Sequence, residues 1–311
     1  MREFPLHPIM SRLLAGAADF PPIHTQTPGQ ARAVHDPLFA TLLPRPAAVA
    51  RVEDRVAPGP AGPVPLRIYV PQGRGPFPVA LYLHGGGFVL GSLDSYDSLC
   101  RGLCNGAGCL VVAAGYRLAP EHRFPAGLED ACAAWAWTAA HAERLGGDPA
   151  RLALAGDSAG ATLAAGVALR VSDRGGPAPG RMLLVYPAFD LSNFASASYR
   201  RFADSLLLTR RLMGWFRAAY FARASDRRDP YASPLLAPSL AGLPATLQLD
   251  AEFDVLTSEQ EAFAGRLAAA GVPARRTVFP GTLHPFFGLA GMSAAENGMA
   301  EACAYLNWAA A

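Results

Sequence analysis

The chain has 311 residues, 51% hydrophobic and 17% charged, with a net charge of +2. That is ample apolar material for one large α/β unit, and the balanced charge, with no basic block, points to neither nucleic acid nor an anionic membrane as partner. All 27 basic residues are arginine, which excludes lysine Schiff bases, pyridoxal-phosphate attachment and serine–lysine dyads.

The N-terminus, Met1-Arg2-Glu3-Phe4-Pro5, has no continuous apolar signal core. No run approaches the ~20 apolar residues of a membrane span. The expectation is a cytoplasmic protein without membrane insertion. Residues 9–14 and 31–40 read as short amphipathic helices. Strand-like apolar runs then follow at 66–70, 79–83, 110–113, 152–155, 183–186, 246–249 and 276–279, with helical patterns between most of them. This alternation predicts a mainly parallel, doubly wound sheet with helices on both faces. The first two runs, joined by a short proline- and glycine-rich link, are candidates for an antiparallel pair.

The second run leads into His84-Gly85-Gly86-Gly87-Phe88. Three glycines let the backbone approach a ligand and aim N–H groups at it. There is no G-x-x-x-x-G-K-[ST], so phosphate binding is disfavoured. Nor does the loop continue as the G-x-G-x-x-G of a dinucleotide site. Cys100 and Cys104 lie one helical turn apart without zinc partners at suitable spacing, and read as packed thiols. Five cysteines in all, an odd number, do not suggest a disulfide framework. No metal or organic cofactor is expected.

Residues 151–155 form an apolar strand run, and an alanine-rich helical run begins at Ala159. Between them stands Gly156-Asp157-Ser158-Ala159-Gly160, a G-x-S-x-G motif on a strand-to-helix turn. Such a turn exposes the serine hydroxyl, and the helix start leaves free N–H groups beside it. Ser158 is therefore the candidate nucleophile, with Gly86, Gly87 and Ala159 as candidate donors to an oxyanion.

Residues from about 191 to about 228 interrupt the alternation. Residues 205–222 within them carry large apolar groups at helical spacing. With residues 1 to about 50, this segment suits a cap over the carboxyl ends of the strands, within a single domain spanning 1–311. Asp254 follows the 246–249 strand and is the candidate acid. Asp250, Glu252 and Asp190 remain alternatives. Of seven histidines, His284 lies in a late loop after the last strand, where the order Ser…Asp…His places the base. His84 is assigned to shaping the glycine loop, and His141 to a helix surface.

Beyond these motifs, residues 116–130, YRLAPEHRFPAGLED, together with 229–235 and 251–256, resemble the hormone-sensitive-lipase-like, bacterial family IV esterases. The resemblance runs from about residue 76 to the C-terminus. It implies the α/β-hydrolase fold with a helical cap, and a carboxylesterase with triad Ser158, Asp254 and His284. It also implies oxyanion donors at Gly86, Gly87 and Ala159. The chain departs from the family pattern at Val255, where a proline is usual, at Pro285, where a glycine is usual, and at Arg123 of the EHP segment.

The expected activity is hydrolysis of short-chain acyl esters through an acyl-enzyme. Phe88, Asp157, Phe286 and Phe287 are the candidate substrate-binding residues. An amidase or deacetylase on the same triad and a catalytically silent small-molecule receptor are the alternatives. Retention of His284 argues against the receptor. The expected partner is a small-molecule ester, and the edge near 276–279 is a candidate for pairing in a homodimer.

Overall fold

The structure is a computed structural model, and it describes residues 4–308; the outermost residues of the 1–50 segment and of the 1–311 domain lie outside them. Two helices come first, α1 (Pro8–Gly16) and α2 (Pro28–Leu42). Thr27 and Gln30 close a reciprocal capping box at the start of α2. The sheet strands follow: β1 (Arg51–Gly59), β2 (Gly62–Val70), β3 (Phe77–Leu83), β4 (Leu110–Ala114), β5 (Gly147–Asp157), β6 (Arg181–Val185), β7 (Ala245–Phe253) and β8 (Ala274–Leu283). They form one sheet in the order β1-β2-β4-β3-β5-β6-β7-β8. Every pairing from β4 to β8 is parallel, and β1 and β2 are added antiparallel at one edge.

The central strands are aliphatic and buried, as parallel strands covered on both faces must be. The covering helices are α3 (Asp97–Ala107), α4 (Ala126–His141), α5 (Ala159–Arg174), α8 (Thr257–Ala269) and α9 (Ser293–Leu306), with α6 (Ala197–Phe202) and α7 (Arg210–Tyr220) between β6 and β7. Helix α3 packs on α9, and α4 on α5.

Two expectations need correction. The runs at 66–70 and 79–83 are not paired, because β4 lies between them. The tight hairpin instead joins β1 to β2, with Gly59 facing Gly62. β1 was missed in sequence because an edge strand needs no apolar alternation: of its residues only Ala57 is buried, and Val56 is 60% exposed. In the 205–222 run the helix begins only at Arg210, where Thr209 caps it by accepting from the Leu212 N–H.

Helices α2 and α7 both lie against the glycine loop. Arg32 of α2 donates from Nε to the Val89 carbonyl and from Nη2 to the Ala119 carbonyl, both at 2.7 Å. It also forks onto Glu121. Asp36 accepts from the Gly91 N–H at 2.9 Å. From α7, Tyr220 stacks on Phe88 with centroids 3.9 Å apart.

Candidate active site

Ser158 stands where β5 turns into α5, with φ +52° and ψ −121°. A non-glycine residue in that region costs on the order of 1–3 kcal/mol and persists only when its surroundings hold it. They do: the Ser158 N–H donates to the Val185 carbonyl at 2.8 Å, and its own carbonyl accepts from Thr162. The flanking glycines make the turn sterically possible. A Cβ on Gly156 would stand 2.6 Å from the Gly160 backbone, and one on Gly160 would strike the Leu83 and His84 carbonyls. That contact also brings the start of α5 against the beginning of the glycine loop.

His284, just past β8, reaches both ways. Its Nε2 is 2.9 Å from Ser158 Oγ, and its Nδ1 is 2.9 Å from Asp254 Oδ2. A carboxylate only accepts, so Nδ1 carries the proton and Nε2 is free to accept from the serine hydroxyl. Asp254 is fully buried, His284 is 7% exposed, and Ser158 is only half-buried. The acid is thus dry and the nucleophile reachable. The other Asp254 oxygen accepts from the Leu256 N–H at 3.0 Å. The three alternative acids are engaged elsewhere. Asp250 accepts from Arg276 and Gln248, Glu252 from the Gly281 N–H, and Asp190 from Ser192 and Asn193.

Gly86 and Gly87 adopt φ +107° and +62°. Both are partly exposed, and their N–H groups donate to no acceptor among the described residues. Ala159 opens α5, where the first N–H groups have no intrahelical partner. The loop is braced from below. His84 Nδ1 donates to the Gly85 carbonyl at 2.8 Å, its ring stacks on Tyr116, and Tyr116 Oη donates to the His84 carbonyl. Burial lowers the His84 pKa to about 4, so this imidazole is neutral at ordinary pH. His141 sits half-buried on α4, its Nδ1 donating to the Trp137 carbonyl.

Four expected substrate contacts are corrected. Asp157 is buried, and its carboxylate accepts from Tyr82, the Gly85 N–H and Tyr96 at 2.8–2.9 Å. It holds the glycine loop and offers nothing to a ligand. Phe286 and Phe287 have no exposed surface and pack in the core, Phe286 against Tyr186 and Phe279. Phe88 is 4% exposed, with its ring against Tyr220.

Sequence reasoning missed Tyr82, Tyr96, Arg32 and Asp36. The two tyrosines look like ordinary core aromatics, and the clamp from α2 spans 55 to 87 residues, which no local pattern reveals. It also missed Tyr186, which has φ +36° and a ring centred 4.3 Å from that of His284.

No helix among the described residues is long and apolar enough to cross a membrane, and no group of three or more His, Cys, Asp or Glu among them could hold a metal ion. Residues 80–288 match the family described as alpha/beta hydrolase fold. The chain is 41% identical over 270 residues to the carboxylic ester hydrolase LipN of Mycobacterium tuberculosis, covering 84% of this chain and 72% of that one. It is 41% identical over 227 residues to an ethyl acetate hydrolase of Pseudomonas putida, covering 72% and 71% respectively. A hyperthermophilic esterase from Pyrobaculum calidifontis superimposes with a TM-score of 0.92 at 36% identity, covering 98% of both chains. The chain belongs to the alpha/beta hydrolase fold family and, as its motifs imply, to the carboxylic ester hydrolases within it.

Proposed function

We propose that this ester hydrolase works through a Ser158–His284–Asp254 triad on short-chain acyl esters. The observation that carries the reading is the unbroken chain of 2.9 Å contacts from Ser158 Oγ through both imidazole nitrogens to a buried carboxylate. Ser158 Oγ attacks the ester carbonyl carbon while its proton passes to His284 Nε2. The developing oxyanion takes hydrogen bonds from Gly86, Gly87 and Ala159. Collapse breaks the bond to the alcohol oxygen, which leaves with the proton from Nε2. Water then attacks the acyl-enzyme with His284 again as base, and the carboxylic acid departs. Asp254 fixes the imidazole tautomer and stabilises its charge.

Segments 1–50 and 191–228 form the cap in this reading, since both lie against the glycine loop. A roof of packed aromatic groups, Phe88, Tyr220 and Phe216, leaves little room for a long acyl chain. The similarity to an ethyl acetate hydrolase supports the same preference. The cysteines among the described residues are unpaired thiols, which supports a reducing, cytoplasmic setting. The edge strand β8, with Val278 37% exposed, supports a two-fold dimer. Gel filtration giving only a monomer over a broad concentration range would remove that part.

The central test is hydrolysis of nitrophenyl esters from acetate to palmitate by the wild type and Ser158→Ala in parallel. Activity that peaks at short acyl groups and vanishes with Ser158 is the expected result. A long-chain optimum rejects the pocket reading, and activity that survives in Ser158→Ala rejects the triad.

A further inference from the structure

The near-neutral total charge conceals an uneven distribution. Residues 191–228 contain eight arginines against two aspartates, which leaves the rest of the chain with more acids than bases. Both aspartates are used locally, Asp204 by Arg211 and Asp226 by Arg223. Arg200, Arg201, Arg210, Arg217, Arg227 and Arg228 form no ion pair with any described residue.

Two of the six are not simple surface charges. Arg227 is half-buried, and its Nε is enclosed without an acceptor. A buried donor left unmet is destabilising. Arg217 lies with its guanidinium 4.1 Å over the Phe194 ring, and its polar contact is a long one, Nη1 to the Ser192 carbonyl at 3.5 Å. Burial, and then the neighbouring Arg227 charge, lower the Arg217 pKa from its ordinary value. Two guanidinium groups therefore share a partly desolvated region; Asp190 lies near enough to favour the Arg217 charge but forms an ion pair with neither.

This region adjoins the reaction centre. Arg217 follows Phe216, whose ring fills the space a Cβ on Gly87 would need. On the other side, Ser198 Oγ donates to the Val255 carbonyl at 2.6 Å, and Ser198 and Ser258 exchange hydrogen bonds. The basic segment is thus bound both to the glycine loop and to the loop carrying Asp254. An excess of one sign of charge beside the reaction centre raises the local concentration of counter-ions there.

We infer that this face selects esters bearing a carboxylate remote from the scissile bond, with Arg217 and Arg227 meeting the carboxylate and the exposed Arg200, Arg201, Arg210 and Arg228 drawing it in. The inference rests on the reading of Ser158 as nucleophile and of 191–228 as roof. It names the substrate class that roof admits.

The test compares nitrophenyl hemiglutarate with nitrophenyl hexanoate, a neutral ester of similar length. For the wild type, kcat/KM on hemiglutarate falls roughly tenfold from low to high salt, while the value on hexanoate stays level. Replacing Arg200, Arg201, Arg210 and Arg228 together by glutamine flattens that salt response and leaves hexanoate hydrolysis in place, which reports an intact fold. Arg217→Gln and Arg227→Gln raise KM for hemiglutarate about tenfold more than they lower kcat, and Arg217→Lys, which keeps the charge but not the planar stack on Phe194, recovers only part of the loss. Equal salt responses for the two esters, or a hemiglutarate KM unmoved in both single variants, overturn the inference while the esterase reading stands. A wild type that cleaves neither ester overturns the esterase reading, and this inference with it.

Discussion

The floor and the roof of the site are built differently. On the floor, Ser158, Asp254 and His284 leave the ends of β5, β7 and β8; Ser158 is fixed by backbone bonds and close-packed glycines, Asp254 by the Leu256 N–H, and His284 between the two of them. The proposed roof, helices α1, α2, α6 and α7, is held mostly through side chains, Arg32 and Asp36 to the glycine loop, Ser198 to the acid loop and Tyr220 on Phe88, with scattered backbone bonds such as those from the Phe124 N–H to the Tyr220 carbonyl and from the His7 N–H to the Gly281 carbonyl. The difference separates two tasks. Rigid strand ends hold reacting atoms within tenths of an ångström, where misplacement is costly. In the function proposed above, a roof attached mostly through side chains varies in charge and shape without disturbing them, and so would set which ester enters.

The largest effects therefore belong to the floor. Ser158→Ala or His284→Ala should lower kcat by roughly four to six orders of magnitude with little change in stability, measured on nitrophenyl acetate with melting curves as control. Asp254→Asn should cost about four orders of magnitude. The asparagine amide would donate toward Nδ1 and force the wrong tautomer on His284. A loss under tenfold for Asp254→Asn would show that the carboxylate does not govern the imidazole.

The floor was also the part most legible in sequence. A strained serine turn needs small neighbours, and so left G-x-S-x-G in the chain. An oxyanion loop needs bare backbone, and so left three consecutive glycines. Buried parallel strands left aliphatic runs. The roof and its fastenings left much weaker traces. Arg32 contacts Val89 and Ala119 through a fold-dependent juxtaposition. Asp157 reads as part of the nucleophile motif, but its buried oxygens are taken by Tyr82, Tyr96 and Gly85. Phe286 and Phe287 sit beside the base in sequence and face the core in space. Position near a motif does not tell which way a side chain points.

The next effect tests whether the roof reaches the chemistry at all. Arg32→Ala removes the donors to the Val89 and Ala119 carbonyls, immediately beyond the glycine loop. If α2 holds that loop in register, kcat should fall about ten- to a hundredfold. KM should stay within about threefold, because oxyanion donors matter most after attack. Arg32→Lys should recover only part of the rate, since one ammonium cannot reproduce the fork onto Glu121 and two carbonyls. Equal losses in kcat and stability across both variants, with no split from KM, would mean that Arg32 only holds the fold together.

The smallest effect concerns stability beneath the floor. Burial raises the Asp157 pKa from 3.8 to about 6, although Tyr82, Tyr96 and the Gly85 N–H pull it back. Between those values the folded protein holds a proton that the unfolded chain has released. Stability from this group is therefore full below about pH 4 and is lost as pH rises through about 6. Asp157→Asn cannot ionise, so the wild-type melting temperature should drop relative to the variant across that window and run parallel to it outside. Asp250, also raised to about 6 by burial, is present in both proteins and cancels in the difference. A difference in melting temperature that stays flat from pH 4 to pH 7 would mean that the three donors already offset the burial of the charge. Asp157 would then brace the glycine loop at no cost in acid range, and the floor would be as stable at neutral pH as below it.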